Sequence, residues 1–198
     1  SIILVSLVNS FTSENPKEVP LPEAIVIIPE GQLETKPFSL AGIWEFYPNQ
    51  LINASEMVNN TTLNFVEIPS WWPAYESQAP IHYGTYRLKV VIPPSEQQAP
   101  LALKVPDVYS SYELLVNGKV IGRNGKVGSS KSESTPQWKP DTYFFEPAGD
   151  TLEIIVQLSN FYHHRTGINS PLLLGRAELL QSLKSRTETS NTLLLGGL

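Results

Sequence analysis

The chain contains no cysteine. Disulfides, thiol catalysis and cysteine-based zinc sites are therefore excluded, although the compartment is not fixed by this. Histidine is also scarce, with three in 198 residues, so a histidine metal site is poorly supplied. His163 and His164 are adjacent, and neighbours on a strand point to opposite faces. Charged residues make up only 17% of the chain and the net charge is −5. Without clustered Lys and Arg, general nucleic-acid binding is excluded. No apolar run approaches the ~20 residues of a membrane span. No amphipathic helical stretch of convincing length occurs before about residue 176. No G-x-S-x-G elbow is present, and residues 126–132 lack the spacing of a phosphate-binding loop. Glu45, Glu67, Glu113 and Glu153 stand singly in strand patterns as outward-facing positions, not as facing acids. Nothing calls for a cofactor, and the chain reads as a binding domain, not an enzyme.

Proline and glycine are plentiful, 17 and 12, and they separate short apolar runs. That pattern argues against a helical bundle. Residues 112–116 alternate as a strand, Asn117-Gly118 follows, and residues 119–122 resume the apolar character. Asn-Gly between two such runs predicts a type I′ hairpin, because both turn residues need positive φ. The other strand candidates are arranged around this hairpin. They are residues 24–28, 39–47, 65–68, 83–92, 101–105, 142–145, 152–158 and 172–174, with 177–180 as a last one. Residues 51–58 suit a short turn of helix. The set predicts an all-β sandwich, with spacing that leaves immunoglobulin-like and jelly-roll topologies open.

Residues 2–8 are an apolar run that suits either the tail of a secretory signal segment or a first strand. Residues 14–24 are polar and proline-rich, as in an extended linker. The expected division is an N-terminal arm over residues 1–23, a β-domain over 24–180, and a linker over 181–198. The last residues, 192–198, are apolar and read as the start of a membrane helix continuing beyond Leu198.

Four local sequences carry a family resemblance. Residues 40–47 (LAGIWEFY) resemble the L-x-G-x-W-x-F opening of galactose-binding-like jelly rolls. Residues 66–71 (VEIPSW), 84–88 (GTYRL) and 115–119 (LVNGK) resemble their later segments. The same order occurs in the sugar-binding module of glycoside hydrolase family 2. Residues 125–128 (GKVG), 157–165 (QLSNFYHHR) and 170–175 (SPLLLG) add a likeness to the extracellular sensor domain of bacterial seven-transmembrane receptors with diverse intracellular signalling modules. The resemblance covers residues ~38–176. It implies a galactose-binding-like jelly roll, carbohydrate-like small-molecule ligands, a place on the periplasmic or extracellular face of the inner membrane, and a kinase or cyclase output elsewhere in the full protein. A homodimer is a candidate assembly.

Site candidates follow from residue chemistry. Asn160, His163, His164 and Arg165 lie just after an apolar strand, where loops carry sites, and offer donors for hydroxyls or a carboxylate. The alternative is a polar loop whose Asn160 caps a turn. Trp72, beside Trp71, is a stacking platform for a sugar ring, with Trp71 as a core plug after Pro69. Trp44 reads as core. Arg87, inside an apolar strand, is either edge-exposed or paired with a carboxylate. Asp107 and Tyr109 are its candidate companions. The family resemblance suggests that Arg87, Tyr109, Lys126 and His163 line one concave face, with residues 126–132 as a flexible loop.

Overall fold

The computed structural model describes residues 24–57, 64–72, 80–106, 108, 110–163 and 166–195, with side chains of the last helix described as far as Arg186. The expectations for residues 1–23, and for the last three residues, fall outside these.

Two long strands form the middle of the fold, β6 (Tyr83–Val91) and β11 (Thr151–Ser159). All nine residues of each are paired, from Tyr83 with Ser159 to Val91 with Thr151. Their alternation explains why. Tyr86, Leu88 and Val90 point inward from β6, and Leu152, Ile154, Val156 and Leu158 from β11, all fully buried. Such period-two runs bury one face and leave the other for polar groups.

Around them a seven-stranded sheet runs in the order β4 (Asn64–Ile68), β3 (Gly42–Pro48), β6, β11, β8 (Ser111–Val116), β9 (Lys119–Asn124). The seventh strand, β1 (Ile25–Ile27), pairs parallel with the far end of β6. A four-stranded sheet packs opposite, ordered β10 (Asp141–Phe145), β7 (Leu101–Val105), β13 (Leu173–Arg176), β2 (Phe38–Ser39). A short pair, β5 (Ser70–Trp71) and β12 (Gly167–Ile168), closes one end. Trp44, Tyr86, Leu103, Leu114, Ile154 and Leu174 belong to one core between the two large sheets. The fold is all-β, a jelly-roll β-sandwich.

The Asn-Gly hairpin forms as its sequence requires, with φ of 48° at Asn117 and 75° at Gly118. It does not organise the sheet, however. β9 is an edge strand, and the centre belongs to β6 and β11. A turn signal is local, whereas sheet order is decided by which strands bury the most apolar area.

Three short elements complete the fold: α1 (Gln32–Thr35), α2 (Ala54–Met57) and a 3₁₀ turn at Pro94–Glu96. Residues 177–180 are not a strand. They begin α3 (Ala177–Leu195). Ala, Glu, Leu and Gln are good helix formers, and Leu180 is buried against the smaller sheet while Leu183 and Lys184 sit beside it. No helix among the described residues is long and apolar enough to cross a membrane.

Candidate binding site

The outer face of the larger sheet carries a row of polar side chains across five strands. Tyr47 pairs with Thr85, Thr85 with Gln157, Gln157 with Glu113, and Glu113 with Arg123. Paired residues on one face stand ~5 Å apart, so these groups are close neighbours.

Residues 49–57 fold back over part of this row. Asn49, at φ 55°, turns the chain after β3 and donates its N–H to Tyr83 O at 2.9 Å. The Thr85 hydroxyl donates to Gln50 O at 2.7 Å and accepts from Ile52 N at 3.1 Å. Gln157 Nε2 donates to Ile52 O at 3.2 Å. A reciprocal cap then starts α2: Asn53 Oδ1 accepts from Ser55 N at 3.1 Å, and Asn53 N donates to Glu56 Oε2 at 2.7 Å. Met57 completes a small apolar cluster with Tyr47, Leu115 and Ile155.

The cover leaves a cavity of about 310 Å³ towards the sheet edge. Leu51, Glu113, Arg123, Lys126, Val127 and Gln157 line it. Its size lies at the lower end of the range for small-molecule sites. It combines an amide, a carboxylate, a guanidinium and an ammonium with two aliphatic walls, a set suited to hydroxyl-rich ligands. Glu113 already accepts a hydrogen bond from Arg123 Nε.

Lys126 reaches this wall on a constrained loop. Its N–H donates to Thr135 O at 2.8 Å, and Thr135 N donates to Lys126 O at 2.9 Å. Gly125 has φ 67°, and a Cβ there would lie 2.3 Å from Thr135 O. Gly128 N donates to the hydroxyl of Ser159, which also meets the hydroxyls of Ser111 at 2.9 Å and Ser134 at 3.0 Å. All three serines are buried. The flexible-loop expectation for residues 126–132 is corrected accordingly: this hydrogen-bonded base ties the loop to β8 and β11.

Arg87 takes the second of its expected states. Nη1 donates to Glu45 Oε2 at 3.0 Å, and Nε donates to Glu153 Oε1 at 2.8 Å. Burial works against its charge, but the two carboxylates outweigh this and raise its pKa. Burial, reinforced by the hydrogen bond to Glu45, pushes the Tyr47 hydroxyl up to about 12. Arg87 shares the outer face but does not line the cavity.

The two tryptophans are exchanged relative to expectation. Trp72 is 7% exposed, packs on Phe46 at 5.8 Å between centroids, and donates its indole N–H to the Tyr86 hydroxyl. Trp71 is 43% exposed. Trp71 takes the exposed side of the two-residue strand β5, and Trp72, just after it, enters the same core cluster as Ile68. Asn160 is buried, and its Oδ1 accepts the N–H groups of Tyr162 at 3.1 Å and His163 at 2.9 Å. It therefore caps a turn. His163 is exposed on that turn and is not part of the cavity wall. Asp107, Tyr109, His164 and Arg165 lie outside the described residues. Of the expected site residues that are described, Lys126 alone is placed in the cavity wall. Leu51, Glu113, Arg123 and Gln157 were not singled out as binding residues from sequence. Among the described residues, no three side chains of His, Asp and Glu are grouped to hold a metal ion.

No family model and no curated protein matches the chain. Solved structures do. β-Glucuronidase 2 of Bacteroides uniformis, in a calcium-binding mutant form, superposes with a TM-score of 0.56 at 15% identity, over 70% of this chain and 18% of its own. A β-glucuronidase from an uncultured Clostridium gives 0.54 at 16%, over 70% and 28%. The β-glucuronidase of Ruminococcus gnavus gives 0.51 at 12%, over 70% and 28%. At such identities the likeness is one of fold. The chain spans less than a third of the length of each enzyme.

Proposed function

We propose that this domain is a non-catalytic carbohydrate-binding module. The observation that carries the reading is the cavity beside β8 and β9, where Gln157, Glu113, Arg123 and Lys126 converge against Leu51 and Val127. Hydroxyl-rich ligands need several donors and acceptors held on a rigid base, and three of these four side chains stand on paired strands. The fold it shares with a part of several glycosidases supports the same ligand class. Screening the chain against a glycan array tests it, followed by calorimetry with the best ligand. Gln157→Ala should weaken binding by about tenfold, the value of one to two hydrogen bonds. An array without signal overturns the reading.

A second reading places the module outside the inner membrane as the ligand-binding part of a bacterial receptor, with a second copy as its partner. The rooted start of α3 favours it. Ala177 N donates to Pro100 O at 2.9 Å, and Arg176 grips Glu96 beside it, so the helix has a fixed base from which to lead elsewhere. The receptor reading expects an apolar span of ~20 residues after Leu198 in the gene, whereas the glycosidase-module reading expects a catalytic domain in the same polypeptide.

A further inference from the structure

We propose that the cavity takes an anionic saccharide, with Lys126 as the counter-charge; this rests on the carbohydrate-binding reading above. Two cationic side chains, Arg123 and Lys126, line the wall against one carboxylate, Glu113. The chain as a whole has a net charge of −5. The cavity therefore opposes the sign of its protein, and a cationic recess on an acidic body selects anions at short range.

The two cations differ in availability. Arg123 Nε is committed to Glu113. Lys126 has no carboxylate within ion-pair distance among the described residues. It stands between Gly125 and Gly128, where added Cβ atoms would meet Thr135 O at 2.3 Å and Glu133 Cβ at 2.6 Å. The close approach of backbone at both glycines fixes the base of Lys126. Among the described residues, the result is a single ammonium without a counter-charge, beside an amide and a paired carboxylate. Gln157 and Glu113 address hydroxyls, while Lys126 addresses one carboxylate or sulfate group on the ring.

The test measures affinity by calorimetry for trigalacturonate, its full methyl ester, a sulfated carrageenan oligosaccharide and maltotriose. The ester keeps the ring shape and removes the charge. The expected result is at least fivefold tighter binding of an anionic sugar than of ester and maltotriose, the value of one exposed ion pair. That advantage should vanish in Lys126→Ala and shrink as salt is raised. Preference for the sulfated sugar over trigalacturonate supports the proposal with sulfate as the group. Equal binding of acid and ester, without binding of the sulfated sugar, overturns it and leaves the carbohydrate reading standing. So does an advantage that survives in Lys126→Ala with its thermal midpoint unchanged. Silence across these four sugars and the glycan array overturns both.

Discussion

Arg176 holds Glu96 through two parallel hydrogen bonds, Nε to Oε2 at 2.9 Å and Nη2 to Oε1 at 3.0 Å. The Glu96 carboxylate is only 1% exposed, and Arg176 also reaches Glu34 of α1 at 3.0 Å. Arg176 ends β13 and directly precedes α3, so the fork joins that root to the Pro94–Glu96 turn. Arg176→Ala leaves a buried carboxylate without its partner. The expected cost is about 3 kcal/mol, the low end for broken buried pairs because the arginine is partly in solvent. Arg176→Lys keeps the charge but not the fork, and should recover part of this. Urea denaturation checks both; a loss no larger than that of exposed Arg186→Ala would remove the clamp from the account.

Asp141 ties α3 to the edge of the smaller sheet. It accepts from Thr142 N at 2.8 Å and Lys184 Nζ at 3.1 Å, with Lys139 Nζ at 3.8 Å. Burial pushes its carboxyl up, but these donors outweigh burial and hold it below the usual aspartate value. A carboxylate lowered in the folded state stabilises that state above its unfolded value. The contribution disappears as pH falls through the lowered one. Asp141→Asn should therefore lower the thermal midpoint at neutral pH, and the gap to the native chain should close below about pH 4. A gap that persists unchanged in acid contradicts the assignment.

Asn117 serves the hairpin and its neighbour at once. It occupies positive φ, its Nδ2 donates to Ala148 O at 3.2 Å, and its Oδ1 accepts Glu153 N at 2.7 Å. Asn117→Ala loses these side-chain bonds, with that of Nδ2 to Thr151 O at 3.3 Å, and strains the turn, for an expected loss of about 2 kcal/mol. Asn117→Gly keeps the turn conformation and should lose about half of that. Equal losses in the two variants would show that the side-chain bonds carry the whole effect.

The sequence made most strands legible because their faces alternate and their ends carry Pro, Gly or Asn-Gly. The two-residue strands β2, β5 and β12 have too few residues to show a period. Much of the candidate site was hidden for a more specific reason. A two-residue turn at Asn117-Gly118 pairs Leu115 with Val120, and an even ladder would then set Glu113 opposite Gly122. A bulge between Leu114 and Leu115 shifts the register, so Glu113 meets Arg123. Nothing in the local pattern announces that extra residue. Ile121 packs against the core, and the bulge that accommodates it is a tertiary effect. Likewise, Gln157 enters the site through pairing with Glu113, 44 residues away in the chain. Arg87 lies between these cases, since its strand context leaves an exposed edge or a carboxylate partner open, and the sheet order decides for Glu45 and Glu153.

Arg87 and Arg123 should therefore behave as opposites. Arg87 neutralises Glu45 and Glu153 across three strands, with its side chain 18% exposed. Arg87→Ala leaves two half-buried carboxylates facing each other, at an expected cost of about 2–3 kcal/mol. Its guanidinium is fully engaged and lies outside the cavity wall, so ligand affinity should stay within twofold in variant molecules that remain folded. Arg123 is 64% exposed, so Arg123→Ala should cost at most about 1 kcal/mol of stability. It removes a donor from the cavity and frees Glu113 as a bare negative charge there. The affinity for an anionic sugar should then fall by tenfold or more. Denaturation midpoints and calorimetry on the same two variants decide the matter. If Arg87→Ala abolishes binding at full folded population while Arg123→Ala leaves it intact, the ligand sits over the Glu45–Arg87–Glu153 triad and the cavity at the hairpin is not the site.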